Sequence, residues 1–131
     1  MTAEVVDASA LAALLFGEPE AERVAASLED AELLAPSLIR YELASVCEKK
    51  RRLHPAQQDS LLAALALYPR LGVAEVEVSA TEMARLARTA DVTAYDAAYL
   101  WVARHADIPL LTLDRKLAAA ARALGLGLIG T

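Results

Sequence analysis

The chain has 131 residues, of which 56% are hydrophobic and 24% are charged, and its formal net charge at pH 7 is −5. This length fits one domain of the usual ~100–200 residues, and the apolar content excludes a largely disordered chain. No apolar run approaches the ~20 residues of a membrane-spanning helix, and no secretory signal precedes the first predicted strand. We therefore expect a single domain over residues 1–131, with no membrane partner.

The cysteine count and the net charge exclude further classes of protein. The single cysteine, Cys47, excludes an internal disulfide and a cysteine-built metal site, and it fits a reducing, cytoplasmic setting. The negative net charge argues against a protein that coats nucleic acid generally. A local basic patch can nevertheless hold an RNA substrate.

Apolar periodicity and helix-capping residues divide the chain into alternating strands and helices. In chain order, the predicted elements are a strand at 2–6, helices at 8–16 and 18–28, a strand at 33–35, helices at 37–51 and 54–68, a strand at 73–78, helices at 79–89 and 93–105, a strand at 110–113, a helix at 114–124 and a strand at 126–129. Short apolar strands that alternate with helices are typical of βαβ units. They predict a single α/β domain with a mainly parallel sheet and helices on both faces.

Four acidic residues fall at positions that such a sheet brings together. Asp7 and Asp114 directly follow strands, Asp96 lies in the first turn of a helix, and Glu42 lies in the second turn of another. Ligands of open α/β sheets bind beyond the carboxyl ends of the strands. Clustered acids repel one another unless a cation lies among them, and Mg²⁺ prefers oxygen ligands. The pattern therefore indicates a Mg²⁺ or Mn²⁺ site that can support phosphodiester hydrolysis.

Helix capping is the competing explanation for the three aspartates. Asp7, Asp96 and Asp114 all lie at or near helix N-termini, where carboxylates are stabilising. The segment from Thr93 to Asp96 even fits a capping box with aspartate in the usual place of glutamate. Capping does not explain Glu42, because an acid gains little in the second turn of an otherwise apolar helix flank.

Hydroxyl and cationic side chains lie near these acids in the sequence. Ser9 and Thr112 each lie two residues from an aspartate, where a hydroxyl either orients a carboxylate or a ligand water or serves as an ordinary cap. An RNA substrate requires phosphate contacts, for which Arg115, Lys116 and Arg40 are the candidate cations.

Aromatic residues of the 93–105 helix each allow more than one structural role. Tyr95 and Tyr99 flank the turn that carries Asp96. Tyr95 is placed to stack on a base, but core packing is the favoured interpretation of this residue. Trp101 is expected in the core or at a dimer interface.

Four stretches together resemble the PIN domain, and within it the VapC-type toxin ribonucleases of toxin–antitoxin pairs. They lie at 5–11, 41–46, 93–100 and 111–117, and the resemblance covers nearly the whole chain. It implies a mostly parallel sheet of about five strands and a metal-dependent endoribonuclease that acts on single-stranded or looped RNA. It also implies a homodimer and inhibition by a small VapB-type antitoxin.

The resemblance also assigns roles to individual residues. Its acidic quartet, implied to be catalytic and to bind Mg²⁺ or Mn²⁺, matches Asp7, Glu42, Asp96 and Asp114. Its supporting hydroxyls match Ser9 and Thr112.

Two other functions remain open from the sequence. One is a non-catalytic PIN-like module that binds RNA or protein, against which the intact quartet argues. The other is a different Mg²⁺-dependent phosphoryl-transfer α/β domain. A haloacid-dehalogenase-like enzyme needs a second aspartate where this chain has Ser9, and a receiver domain needs paired early acids, for which Glu4 and Asp7 are a poor substitute.

Overall fold

A parallel sheet forms the centre of the protein, described here from a computed structural model over residues 2–130. The four strands are β1 (Thr2–Val6), β2 (Ala31–Pro36), β3 (Ala74–Val76) and β4 (Leu110–Leu111). Their order is β3-β2-β1-β4, and all three pairings are parallel. The predicted α/β class with a mostly parallel sheet and flanking helices is confirmed.

The expected fifth strand is reduced to one bridge, so that the sheet has four strands rather than about five. Leu128 pairs in parallel with Leu110 at the free edge of β4. The Leu110 N–H donates to Gly127 O and the Ile129 N–H donates to Leu110 O, both at 3.0 Å. The pairing between β4 and the segment around Leu128 does not extend further, because β4 contains only two residues.

The short length of β4 has a local cause. The sequence predicted a strand through residue 113, but the two amides after Thr112 are used elsewhere. The Leu113 N–H donates to Ser9 Oγ and the Asp114 N–H donates to Thr112 Oγ1. Side chains of the site thus replace the strand ladder at this point.

Within residues 2–130, seven α-helices connect and flank the strands. They are α1 (Ala8–Leu15), α2 (Ala21–Leu28), α3 (Ile39–Leu53), α4 (Gln58–Leu65), α5 (Ala80–Ala90), α6 (Ala94–Ala106) and α7 (Arg115–Ala123). The single helix predicted at 54–68 is wrong: two 3-10 turns, Pro55–Gln57 and Tyr68–Leu71, lie on either side of a shorter α4. Pro55 and Pro69 each stand early in one of these turns, where a missing N–H is tolerated.

Helix α6 contributes six buried residues to the core and carries Asp96 and Tyr99 to the site. It packs against β1, β2 and β4, and Leu100 and Ala103 are completely buried there. Asp91, before α6, and Asp107, after it, adopt left-handed backbone conformations that end α5 and α6. Aspartate is among the non-glycine residues that tolerate this conformation.

No helix within residues 2–130 is both long enough and apolar enough to cross a membrane.

Candidate active site

The candidate site lies where the strand order reverses. The chain runs from β1 outward to β2 and β3, and then returns to place β4 on the other side of β1. Parallel α/β sheets bind ligands in the crevice beyond the strand ends at such a point. Asp7 directly follows β1, and Thr112 directly follows β4.

Asp7 is a buried carboxylate held by a dense hydrogen-bond network. Its side chain is 4% exposed. Oδ1 accepts from Ser9 Oγ at 2.7 Å and from the Ala10 N–H at 3.0 Å, which makes Asp7 the N-cap of α1. Oδ2 accepts from Thr112 Oγ1 at 2.5 Å. The two supporting hydroxyls predicted from the sequence therefore converge on this one carboxylate.

Asp114 is joined to the same network through the backbone. Its N–H donates to Thr112 Oγ1 at 3.0 Å. Its carboxylate caps α7 by accepting from the N–H groups of Lys116 (2.8 Å) and Leu117 (3.2 Å). The capping interpretation is thus correct for Asp7 and Asp114, and both caps lie at the same edge of the sheet.

Glu42 reaches the site from the first turn of α3, not from the second turn as predicted, because α3 begins at Ile39 rather than at residue 37. Its carboxylate is held by Tyr99, for which no role was predicted. Tyr99 of α6 donates its hydroxyl to Glu42 Oε1 at 2.6 Å. The Tyr99 ring is almost fully buried, so the phenol is a rigid donor. The spacing of the sequence could have indicated a role for Tyr99 in the site, because it lies three residues after Asp96 and therefore on the same helix face.

Asp96 reaches the site from the first turn of α6. Thr93 caps this helix by accepting from the Asp96 N–H at 3.1 Å. The Thr93 hydroxyl also lies beside the Asp96 carboxylate and lowers its pKa, while the cation Lys116 acts in the same direction. Burial and the neighbouring Asp114 outweigh both, so the pKa of Asp96 is raised.

The four predicted acids lie close enough for their charges to act on one another's pKa values. Burial raises the pKa of Asp7 to about 6, and the charge of Asp114 adds to the effect of burial. Burial also raises the pKa of Glu42, to which the charges of Asp96 and Asp7 contribute. Each carboxylate is thus coupled to at least one other, although the four come from four separate segments of the chain.

The donor chemistry of this group suits a hard divalent cation, but the side chains do not form a finished cage. Among residues 2–130, no three histidine, cysteine, aspartate or glutamate side chains are arranged to hold a metal ion as they stand. Mg²⁺ usually needs only one or two carboxylates, with waters and substrate phosphates completing its shell. An open group of mutually repelling carboxylates, of which Asp7 is buried and Asp114 is exposed, fits that mode of binding.

The three predicted substrate-binding cations have different surroundings. Lys116 is exposed in the first turn of α7 and close enough to lower the pKa of Asp96. Arg115 is exposed beside it. Arg40 is partly committed elsewhere, because its Nε pairs with Glu75 Oε1 at 2.9 Å.

Two tyrosines near the group are exposed, contrary to the favoured interpretation of one of them. Tyr95 is 63% exposed, so its assignment to the core was wrong. Tyr41, which precedes Glu42 and was given no role, is 69% exposed. Trp101 is partly buried against the core and stacks on His105, with the ring centroids 3.7 Å apart.

The fold and this carboxylate group define the class of protein. A family model for the PIN domain matches residues 5–123, a range that contains all four acids. The chain belongs to the PIN domain family. Within it, the chain is similar to Ribonuclease VapC3 of Pyrobaculum aerophilum, with 36% identity over 119 residues that cover 87% of this chain and 91% of the relative. The resemblance to VapC-type proteins is thereby confirmed.

A solved structure supports the same fold. The crystal structure of PAE2754 from Pyrobaculum aerophilum superposes with a TM-score of 0.73. Its sequence is 27% identical to this chain, and the superposition covers 91% of this chain and 84% of that one.

Proposed function

We propose that this protein is a metal-dependent endoribonuclease, the toxin of a VapB–VapC type toxin–antitoxin pair. The observation that carries the proposal is the convergence of Asp7, Glu42, Asp96 and Asp114 at the switch point of the sheet. The similarity to a protein named as a VapC ribonuclease supports RNA as the substrate.

In this proposal the four carboxylates hold Mg²⁺ or Mn²⁺ and position the attacking water. The cation would supply Lewis-acid activation of that water and neutralise charge on the phosphodiester. Ser9 and Thr112 keep the Asp7 carboxylate oriented toward the group through their hydrogen bonds. Tyr99 does the same for Glu42. Lys116 and Arg115 lie on the exposed turn beside Asp114, where they would contact RNA phosphates.

The partners in this proposal follow from the family resemblance. They are an RNA substrate, a VapB-type antitoxin that blocks the site, and a second copy of the chain in a homodimer. A cytoplasmic setting fits the buried, unpaired Cys47. Co-expression with the gene product of a neighbouring antitoxin-like reading frame should rescue growth that the active chain inhibits.

Cleavage of a mixed RNA pool is the direct test. Purified protein is incubated with Mg²⁺ or Mn²⁺, and in parallel with excess EDTA. Discrete fragments that disappear with EDTA and in the Asp96→Asn variant are expected. Asp91→Asn is the matched control, because it removes the same charge from a nearby exposed residue and asparagine tolerates the left-handed backbone found there. Fragments that persist in Asp96→Asn would refute the assignment.

One observation favours a second candidate, a PIN module that binds RNA without cutting it. The Asp7 carboxylate is already engaged by two hydroxyls and one amide, and the described residues hold no finished cation cage. Titration calorimetry with Mn²⁺ separates the two functions. A nuclease should bind Mn²⁺ through the quartet, so that Asp96→Asn weakens binding, whereas the module should give no signal that depends on Asp96.

A further inference from the structure

An open groove lies directly beside the carboxylate group, between α3 and the start of α6. Its volume is about 510 Å³, and it is lined by Leu38, Tyr41, Glu42, Ser45 and Tyr95. This volume falls in the ~300–1,000 Å³ range of small-molecule sites. Glu42 belongs to both the groove and the carboxylate group, so a molecule in the groove would lie next to the reacting phosphate.

The sequence spacing explains why these residues share one groove. Leu38 is the N-cap of α3, and Tyr41, Glu42 and Ser45 of the helix follow it by three, four and seven residues, which places all four on one helix face. Tyr95 lies one turn before Tyr99 on the facing helix α6. The hydrogen bond from the Tyr99 hydroxyl to Glu42 links α6 to α3. One helical turn before Tyr99, at Tyr95, the groove between the two helices is open and the tyrosine ring is exposed.

The two exposed tyrosines distinguish this groove from an ordinary surface crevice. Both rings are more than half exposed, and neither hydroxyl takes part in a side-chain hydrogen bond among residues 2–130. The Arg40 guanidinium lies over the Tyr41 ring, 5.4 Å from its centroid. Arg40 itself lies outside the groove lining and pairs with Glu75. The groove therefore presents exposed aromatic rings beside an acidic site.

We propose that Tyr41 and Tyr95 form a stacking subsite for an unpaired base of single-stranded RNA, adjacent to the phosphodiester at the carboxylate group. This inference rests on the proposed function for the identity of the substrate. Bases splayed from single-stranded RNA stack on aromatic side chains, and such stacking tolerates different sequences because every base has a π-face. Leu38 adds apolar surface to the groove lining.

The test combines protein variants with modified RNA. Binding of a short, unstructured, end-labelled RNA is measured by fluorescence anisotropy with Mg²⁺ in the Asp96→Asn background, which blocks cleavage if the proposed function holds. Tyr41→Ala and Tyr95→Ala are each expected to weaken binding about tenfold, within the usual range for loss of base stacking. Tyr41→Phe keeps the ring and should restore most of the affinity. Leu53→Ala removes an exposed apolar side chain at the far end of α3 and is the control.

A series of RNAs with one abasic nucleotide at successive positions identifies the stacked base. At one position, the abasic change should weaken binding to the parent protein but not to the tyrosine-to-alanine variant, since the interaction is already lost. The inference is overturned if no position shows this coupling. It is also overturned if the alanine variants leave RNA affinity unchanged but dissociate a dimer in sedimentation velocity, because the groove is then covered by a second copy.

The outcomes separate this inference from the proposed function. RNA cleavage by the wild-type protein without any coupling would leave the nuclease intact and remove the subsite. Coupling without cleavage would retain the stacking subsite and favour the RNA-binding module.

Discussion

Replacement of Asp7 by asparagine should abolish cleavage and, in the absence of metal, stabilise the fold at neutral pH. Asparagine has nearly the same shape and still accepts from the Ala10 N–H, and its amide can donate to a hydroxyl of Ser9 or Thr112. The substitution removes only the buried charge. Since that charge is proposed to bind the cation and position water, its loss should eliminate metal-dependent activity.

The size of the stability gain follows from the pKa of Asp7. Burial raises this pKa from 3.8 to about 6, so the folded state holds a proton that the unfolded chain has already lost between these pH values. Stability therefore falls as pH rises through this window. Above pH 6 the ionised carboxylate costs about 3 kcal/mol, at 1.36 kcal/mol per pKa unit. At pH 4.5, where the folded protein is mostly protonated at Asp7, the cost is about 1 kcal/mol.

Urea denaturation of the wild-type and Asp7→Asn proteins in EDTA measures this difference. We expect the variant to be more stable by up to about 3 kcal/mol at pH 7.5 and by about 1 kcal/mol at pH 4.5. Saturating Mn²⁺ should stabilise the wild type, by about 2.7 kcal/mol at one hundred times its dissociation constant, and should have less effect on the variant. If Asp7→Asn were less stable than the wild type by the same amount at both pH values, the assignment of Asp7 as a buried, electrostatically costly carboxylate would be refuted.

Three further substitutions test the supports of the site and the core. Tyr99→Phe removes the hydroxyl that lowers the pKa of Glu42, so the acidic limb of the pH–rate profile should move to higher pH; an unchanged limb would argue against this role. Thr112→Val removes the donor to Asp7 and should cost about 1–3 kcal/mol in urea denaturation, with a lower cleavage rate; wild-type stability would contradict the network. Leu100→Ala, at a completely buried position, should cost about 2–5 kcal/mol while the folded protein keeps its cleavage rate, and a loss below 1 kcal/mol would be inconsistent with that packing.

Most of the fold could be predicted because its elements are marked by local signals. The strand β1 and the helices α1 and α6 begin and end close to the predicted residues, since apolar periodicity and capping residues agree there. One failure has a cause that is partly tertiary. The strand predicted to end at residue 113 stops at Leu111, because the Leu113 N–H donates to Ser9 Oγ and the Asp114 N–H donates to Thr112 Oγ1. The first of these hydrogen bonds joins residues 104 positions apart and leaves no periodic signal in the sequence.

The grouping of the four acids could be predicted from the sequence, whereas the exposure of the tyrosines beside them could not. The carboxylates follow from topology, because the ends of parallel strands meet at one edge. Whether a tyrosine beside the carboxylate group is buried depends on the distance between α3 and α6 at that point. The spacing of residues in the sequence does not specify this distance. Tyr99 and Tyr95 differ by one turn of α6, yet the first is buried against Glu42 and the second is exposed.

The pKa values of Asp7 and Asp96 change in the direction opposite to the one that helix capping alone would cause. A carboxylate that only caps a helix is stabilised by the N-terminal dipole and by amide donors, so its pKa should fall. Asp7 accepts such an amide bond and Asp96 lies in a first helical turn, yet the pKa of each is raised because burial and neighbouring acids dominate. An exposed aspartate or a serine would cap the helix equally well, without the free-energy cost of a buried, ionised carboxylate. A cation among the four carboxylates would reverse the sign of the same interactions, which is why the proposed function places one there.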